Sequence, residues 1–104
     1  CFPRFDFLIL ALNQLVNHAD KIDFLTNSKF KSKIIIRTMV GAKKPLDGGP
    51  QHTQDHTLAI KKMLKYSYVK KLDKNSNIFN EYTNVIKRKK YKVFVFIEEG
   101  NLYL

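Results

Sequence analysis

The chain has no tryptophan, one cysteine, four glycines and three prolines among its 104 residues. A lone cysteine cannot close an internal disulfide, so nothing points to a secreted, bridged scaffold, and burial and polar contacts must hold the fold. Arginine is scarce: three against sixteen lysines. Proteins that read base edges or grip phosphates bidentately lean on the arginine fork. Nucleic acid is therefore a weak candidate partner despite the net charge of +10, and lysine beside abundant Asn and Ile fits AT-rich coding or an acidic partner surface better. Long apolar runs are missing as well. The longest, Phe7 to Leu12, falls far short of the roughly 20 residues that cross a bilayer. No targeting peptide is visible.

What is present is a globular composition, 44% hydrophobic and 12% aromatic, in a length that suits one domain or part of one. A helical pattern is under way by Phe5, and the C-terminus directly follows a strand pattern. The chain therefore reads as a fragment of a larger protein.

Glycine and proline are few, so their position is informative. Three of the four glycines and two of the three prolines fall between Ile34 and Thr57. This stretch opens on Ile34-Ile35-Ile36, a β-branched run that predicts a buried central strand over Ile34–Thr38. It passes through a glycine-rich loop and exits at Gln51-His52-Thr53-Gln54 ahead of a new helical pattern. Open parallel sheets place ligands where a strand ends in such a loop.

Around this stretch the periodicity predicts a helix over Phe5–Ile22, apolar nearly all round in its first half, with Asn13, Gln14, Asn17, Asp20 and Lys21 as a polar stripe. A connector follows over Asp23–Lys33. Further on come a helix over Thr57–Tyr66 capped by Asp55 or Thr57, a weak edge strand over Ser67–Lys71, and a helix over Asp73–Ile86 capped by Asn75 or Ser76. The strongest strand is Tyr91–Ile97. The order α-β-loop-α-β-α-β predicts an α/β fold, a three-layer parallel sheet with flanking helices.

Chemistry-bearing residues are few. His52 leaves the glycine-rich loop, where backbone N–H groups approach closely and an imidazole can exchange a proton near neutrality. On spacing alone a lone loop histidine is more often a surface or loop-stabilising residue. The loop lacks the spacing of either phosphate-binding glycine motif. His52 and His56 stand four apart, without the second pair of ligands or the helical Glu that a zinc set needs, so no metal ligands are assigned. Glu98 and Glu99 end the last strand, where a charged strand exit is the simpler reading. Lys87-Arg88-Lys89-Lys90 reads as a solvated turn.

Five segments fall in a recognisable order: Phe5-Asp6-Phe7; Leu12-Asn13-Gln14-Leu15-Val16-Asn17-His18-Ala19-Asp20-Lys21; Ile34-Ile35-Ile36-Arg37; Gly49-Pro50-Gln51-His52-Thr53-Gln54; and Val93 to Glu98 with Leu102-Tyr103. Together they resemble the pyrimidine-binding, transketolase-like domain of the β chain of 2-oxoacid dehydrogenase first components, pyruvate type. The resemblance implies a thiamine-diphosphate-dependent oxidoreductase that decarboxylates a 2-oxoacid and acylates lipoamide. It implies that Phe7 stacks on the aminopyrimidine ring and that His52, followed by Thr53 where the family has serine, lies in the active site. It also implies a heterotetramer: an α subunit holding the diphosphate and magnesium, a second β chain against the Asn13-Gln14-Asn17 helix, and a lipoyl-bearing acyltransferase as partner. The compartment stays open between mitochondrion, plastid and bacterial cytoplasm. Departures from the family pattern are the longer Ala42–Asp47 loop, Lys70 and Lys71 in place of apolar strand residues, Arg88-Lys89-Lys90-Tyr91 in place of an acidic turn, and the absence of the family's pyrimidine-binding glutamate from these residues. They leave two other readings, a non-catalytic diverged domain and a basic module binding an acidic partner.

Overall fold

The computed structural model describes residues 1–103. Three strands, β1 (Ile34–Val40), β2 (Tyr68–Leu72) and β3 (Val93–Glu99), form one parallel sheet in the order β1-β3-β2. Helices flank it, giving a small α/β domain.

β3 takes the middle because it alone is apolar on both sides. Val93, Val95 and Ile97 pack with Phe5, Leu8, Leu15, Ile60 and Leu64. Phe94 and Phe96, alternating with them, join Leu72, Val85 and Tyr82 in a second cluster. Successive strand residues point to opposite faces, so one apolar run serves two clusters. The register pairs Ile36 with Val95 on one side and Val69 with Val95 on the other.

The central position expected for the Ile34 strand is not observed. β1 pairs with β3 alone among the strands, and a single bridge from Phe2 to Thr38 touches its other side. Ile35 is 43% exposed as a result. A β-branched run reports a preference for extended backbone, not the number of its neighbours. The weak edge strand over Ser67–Lys71, by contrast, is found as β2. Its lysines find carboxylates, Lys70 at Glu81 and Lys71 at Asp55 and Glu99.

The N-terminal helical stretch is not one α-helix. It runs as α1 (Phe5–Leu8), a 3₁₀ turn (Ile9–Ala11), a π turn (Gln14–His18), a second 3₁₀ turn (Ala19–Lys21) and α2 (Ile22–Leu25). Its first half is not buried on every side: Leu10 is 86% exposed. In the π turn Ala19 N donates to both Gln14 O and Leu15 O. A π turn holds an extra residue, which rotates the downstream side chains by about 100° around the helix axis. Asp20 is thereby found in the core, 4% exposed, and not on the solvated stripe expected for it.

α3 (Thr57–Met63) starts where Asp55 Oδ1 accepts from Thr57 N at 3.0 Å and from the Thr57 hydroxyl. α4 (Ile78–Thr83) is shorter than its pattern, and its cap is Asn77, which accepts from Asn80 N at 3.0 Å. Asp73 to Ser76 instead closes on itself, with Asp73 Oδ1 accepting from Asn75 N. Ile78, Tyr82 and Val85 face the sheet, while Phe79 and Ile86 are exposed.

Candidate functional site

The loop leaving β1 is held in place before it reaches His52. The Arg4 guanidinium donates to the Gly41, Ala42 and Leu46 carbonyls, fixing the first half. Gly41 and Ala42 both have positive φ, at 68° and 61°. The second half turns on Gly49 (φ 71°), whose N–H donates to Asp47 Oδ1 while its carbonyl accepts from His52 N and Thr53 Oγ1. Gly48 makes room for the histidine: a Cβ there would lie 2.8 Å from His52 Cβ.

The turn carries His52 to Phe7. Their ring centroids are 5.1 Å apart with planes at 30°. The two site residues of the sequence analysis, 45 positions apart in the chain, are thus neighbours. Phe7 is 40% exposed, with part of its ring open. His52 is partly buried, and its Nδ1 is enclosed without a hydrogen-bond partner.

Asp6 ties the two segments together. It accepts from Gln54 N at 3.3 Å and Gln54 Nε2 at 2.8 Å, and it contacts His56 Nε2 at 3.0 Å. Desolvation alone would raise its pKa, but the bonds from His56 and Gln54 outweigh that and hold the carboxyl below its ordinary value. His56 also stands edge-on to Phe5, with centroids 5.3 Å apart. His52 and His56 therefore diverge, one to Phe7 and one to Asp6. Among the described residues no group of three or more His, Cys, Asp or Glu side chains could hold a metal ion.

A cleft of about 220 Å³ opens beside Thr53 at the C-terminal ends of all three strands, lined by Val40, Lys71 and Glu99 among others. Its carboxylates are already engaged: Lys71 Nζ lies 2.8 Å from Asp55 Oδ2 and 3.2 Å from Glu99 Oε1.

Glu98 is not the charged strand exit read from the sequence. It is 4% exposed. Arg37 donates to it through Nε at 3.0 Å and Nη2 at 2.9 Å, Tyr103 OH donates at 2.6 Å, and Tyr82 OH donates as well. Burial would raise the Glu98 pKa, but these donors lower it overall. Burial first, and then the same carboxylate, push the Tyr82 hydroxyl up. An alternating read of Phe96-Ile97-Glu98 gives no hint of this cluster, because its donors come from β1, α4 and the C-terminal turn. Arg88 departs from the solvated-turn reading too. Its guanidinium lies 4.5 Å from the Tyr68 ring centroid, while Lys87, Lys89 and Lys90 are exposed.

Neither a family model, nor a curated protein, nor a solved structure matches this chain.

Proposed function

We propose that the chain is part of the pyrimidine-binding domain of a thiamine-diphosphate-dependent 2-oxoacid dehydrogenase β subunit, built on the three-layer transketolase-like plan. The observation carrying this reading is the Phe7–His52 pair: an open aromatic face beside an imidazole whose Nδ1 has no partner, on the loop at the C-terminal end of β1. An exposed phenyl ring suits an aminopyrimidine, which gains by offset stacking. An imidazole beside that ring suits proton exchange with a substrate or acyl acceptor.

Phe7 would hold the pyrimidine ring, and the His52 imidazole would hold or pass a proton as lipoamide is acylated. Asp6 fixes the spacing between them by clamping Gln54 and His56, so it is a positioning residue. The cofactor, when bound, supplies the electron sink for decarboxylation. Its diphosphate and magnesium would belong to the partner α subunit. A second β chain would cover the exposed Asn13-Gln14-Asn17 face, where the Asn17 side chain donates to Asn13 Oδ1, and the lipoyl-bearing acyltransferase would present the acceptor. A carboxylate for the pyrimidine would come from another segment, since Asp6 and Glu98 are both engaged. That engagement is also what favours the second reading, a domain of the same shape without turnover.

The experiment is reconstitution of the complete β chain with its α subunit, with Phe7→Ala and His52→Ala compared. Phe7→Ala is expected to weaken cofactor affinity by about tenfold, in line with the loss of one aromatic contact. His52→Ala is expected to lower lipoamide acylation by roughly 10²-fold while leaving cofactor affinity intact. Cofactor binding with no acylation in the parent complex would select the non-catalytic reading. Absence of cofactor binding under all conditions would remove the catalytic reading and leave the non-catalytic one.

A further inference from the structure

A cleft of about 230 Å³ opens at the N-terminal ends of β2 and β3, the end of the sheet opposite the Phe7–His52 pair. Three segments wall it. α2 brings Asp23 and Phe24, the link from α3 to β2 brings Lys65 and Tyr66, and the turn ahead of β3 brings Lys90 and Lys92. Asp20 lines it too, but its carboxylate is taken up by Lys21 and by the amides of Lys65 and Tyr66. The groups left over are of three kinds. The ammonium groups of Lys65, Lys90 and Lys92 pair with no carboxylate among the described residues, and Lys90 lies 5.5 Å from the Tyr91 ring centroid. Asp23 Oδ1 is enclosed without a donor. Rotation about the last side-chain bond exchanges the two oxygens, so the carboxyl as a whole is short of a partner. Phe24 and Tyr66 stand with ring centroids 5.2 Å apart, yet are 70% and 48% exposed.

We propose that this cleft binds a free mononucleotide, its phosphate among the three lysines, a sugar hydroxyl or base amino group at Asp23, and its base against Phe24 and Tyr66. Each unpaired group selects one part of that ligand. Lysines act on a phosphate as point charges and need no arginine fork. A carboxyl without a donor calls for a hydroxyl or an amino group. Open aromatic rings accept any base by its π-face. The alternatives each leave something unmet. An inorganic anion uses the lysines and leaves Asp23 and the rings idle. An uncharged aromatic leaves the lysines idle, and a simple amine would meet three ammonium groups at close range. A cleft this small suits one nucleotide and not a dinucleotide. This chemistry needs neither the cofactor nor the partner chains proposed above.

The test titrates the full chain by calorimetry with adenosine 5′-monophosphate, adenosine and inorganic phosphate in turn, at low salt. The nucleotide is expected to bind with a Kd on the order of 10–100 μM, and adenosine and phosphate should each bind about tenfold more weakly or worse. Phe24→Ala should weaken the nucleotide and adenosine alike, by about tenfold. Joint Lys90→Ala and Lys92→Ala substitution should bring the nucleotide down to the level of adenosine, leave adenosine unchanged and remove the salt dependence. These side chains lie outside both core clusters, so the variants keep the fold. Backbone amide resonances of Asp23, Phe24 and Tyr66 should shift on binding. Phosphate binding as tightly as the nucleotide, with Phe24→Ala silent, would reduce the cleft to surface lysines and overturn the proposal. So would nucleotide binding that neither variant changes, or no binding at millimolar nucleotide.

Discussion

Asp20 illustrates how much one side chain can hold. Its carboxylate accepts from the backbone N–H groups of Lys65, Tyr66 and Ser67 at 3.0, 3.0 and 2.9 Å, from the Ser67 hydroxyl, and from Lys21. These three amides lie in the link from α3 to β2, so one carboxylate fastens the N-terminal helical stretch to an edge of the sheet. Burial would raise its pKa, but the donors outweigh it and the group falls to about 2. A folded pKa depressed below the unfolded value adds stability that is complete above pH 4 and is lost as pH falls towards 2. The shift from 3.8 to about 2 corresponds to about 2–3 kcal/mol. Asp20→Ala, which strands three amides, should cost about 2–4 kcal/mol in a urea melt at neutral pH. It should also flatten the stability profile between pH 4 and 2. Glu98→Gln is expected to cost about 1–3 kcal/mol, since Arg37 keeps a partner but loses the opposing charge.

At the scale of elements, the sheet is robust and the helices are short. α3 spans Thr57–Met63 and α4 spans Ile78–Thr83. Helices of this length are not stable alone and depend on packing and capping. Asn77→Ala should therefore cost about 1 kcal/mol and should raise hydrogen-exchange rates in α4 before those in β3. The loop after β1 depends on a close approach. Gly48→Ala would press a methyl against the His52 Cβ and should swing His52 away from Phe7. The expected outcome is loss of the ring-current shift that Phe7 imposes on the His52 ring protons, with the sheet resonances unchanged. Gly100 is equally tight: a Cβ there would meet Ala42 Cβ at 2.6 Å and Met39 Sδ at 2.8 Å, so Gly100→Ala should destabilise the C-terminal turn.

For the whole molecule, charge and exposed apolar surface set the behaviour. Asp6, Asp20, Asp55 and Glu98 all have lowered pKa values and all join separate elements. Each contributes stability above its unfolded pKa that is lost on acidification. Protonating them also removes negative charge from a chain already at +10, which adds self-repulsion. Acid unfolding should therefore be cooperative and steep below pH 4, with a midpoint that rises as salt is reduced. Leu10, Phe24, Leu58, Phe79 and Ile86 are each at least 70% exposed. Phe24 and Leu10 lie on the N-terminal helical stretch, while Phe79 and Ile86 lie on or just after α4. Apolar exposure on two separate elements marks two candidate contact surfaces.

Much of the architecture is dictated by sequence pattern alone. The apolar run Val93–Ile97 marks the strongest strand, because neither side of its alternation is polar. The helical spacing marks Leu58, Ile60, Met63 and Leu64, and Ile78, Phe79, Tyr82, Val85 and Ile86, as apolar positions, of which Ile60, Leu64, Ile78, Tyr82 and Val85 reach the core while Leu58, Phe79 and Ile86 stay exposed. The Ser67–Lys71 stretch reads as a weak edge strand that its lysines make doubtful, and the carboxylates that meet Lys70 and Lys71 resolve that doubt only in the fold. The resemblance puts Phe7 and His52 in one site, and the fold sets their rings side by side. The remainder was decided by tertiary contact. Whether β1 or β3 lies in the middle depends on which strand has more apolar surface to cover, a comparison between segments that neither makes alone. Asp20 reads as solvated until a π turn rotates it to three free amides. Glu98 reads as a strand exit until Arg37, Tyr82 and Tyr103 converge on it from three elements. In each case a polar group is buried because its partners lie far off in sequence, so only the folded chain reveals its role.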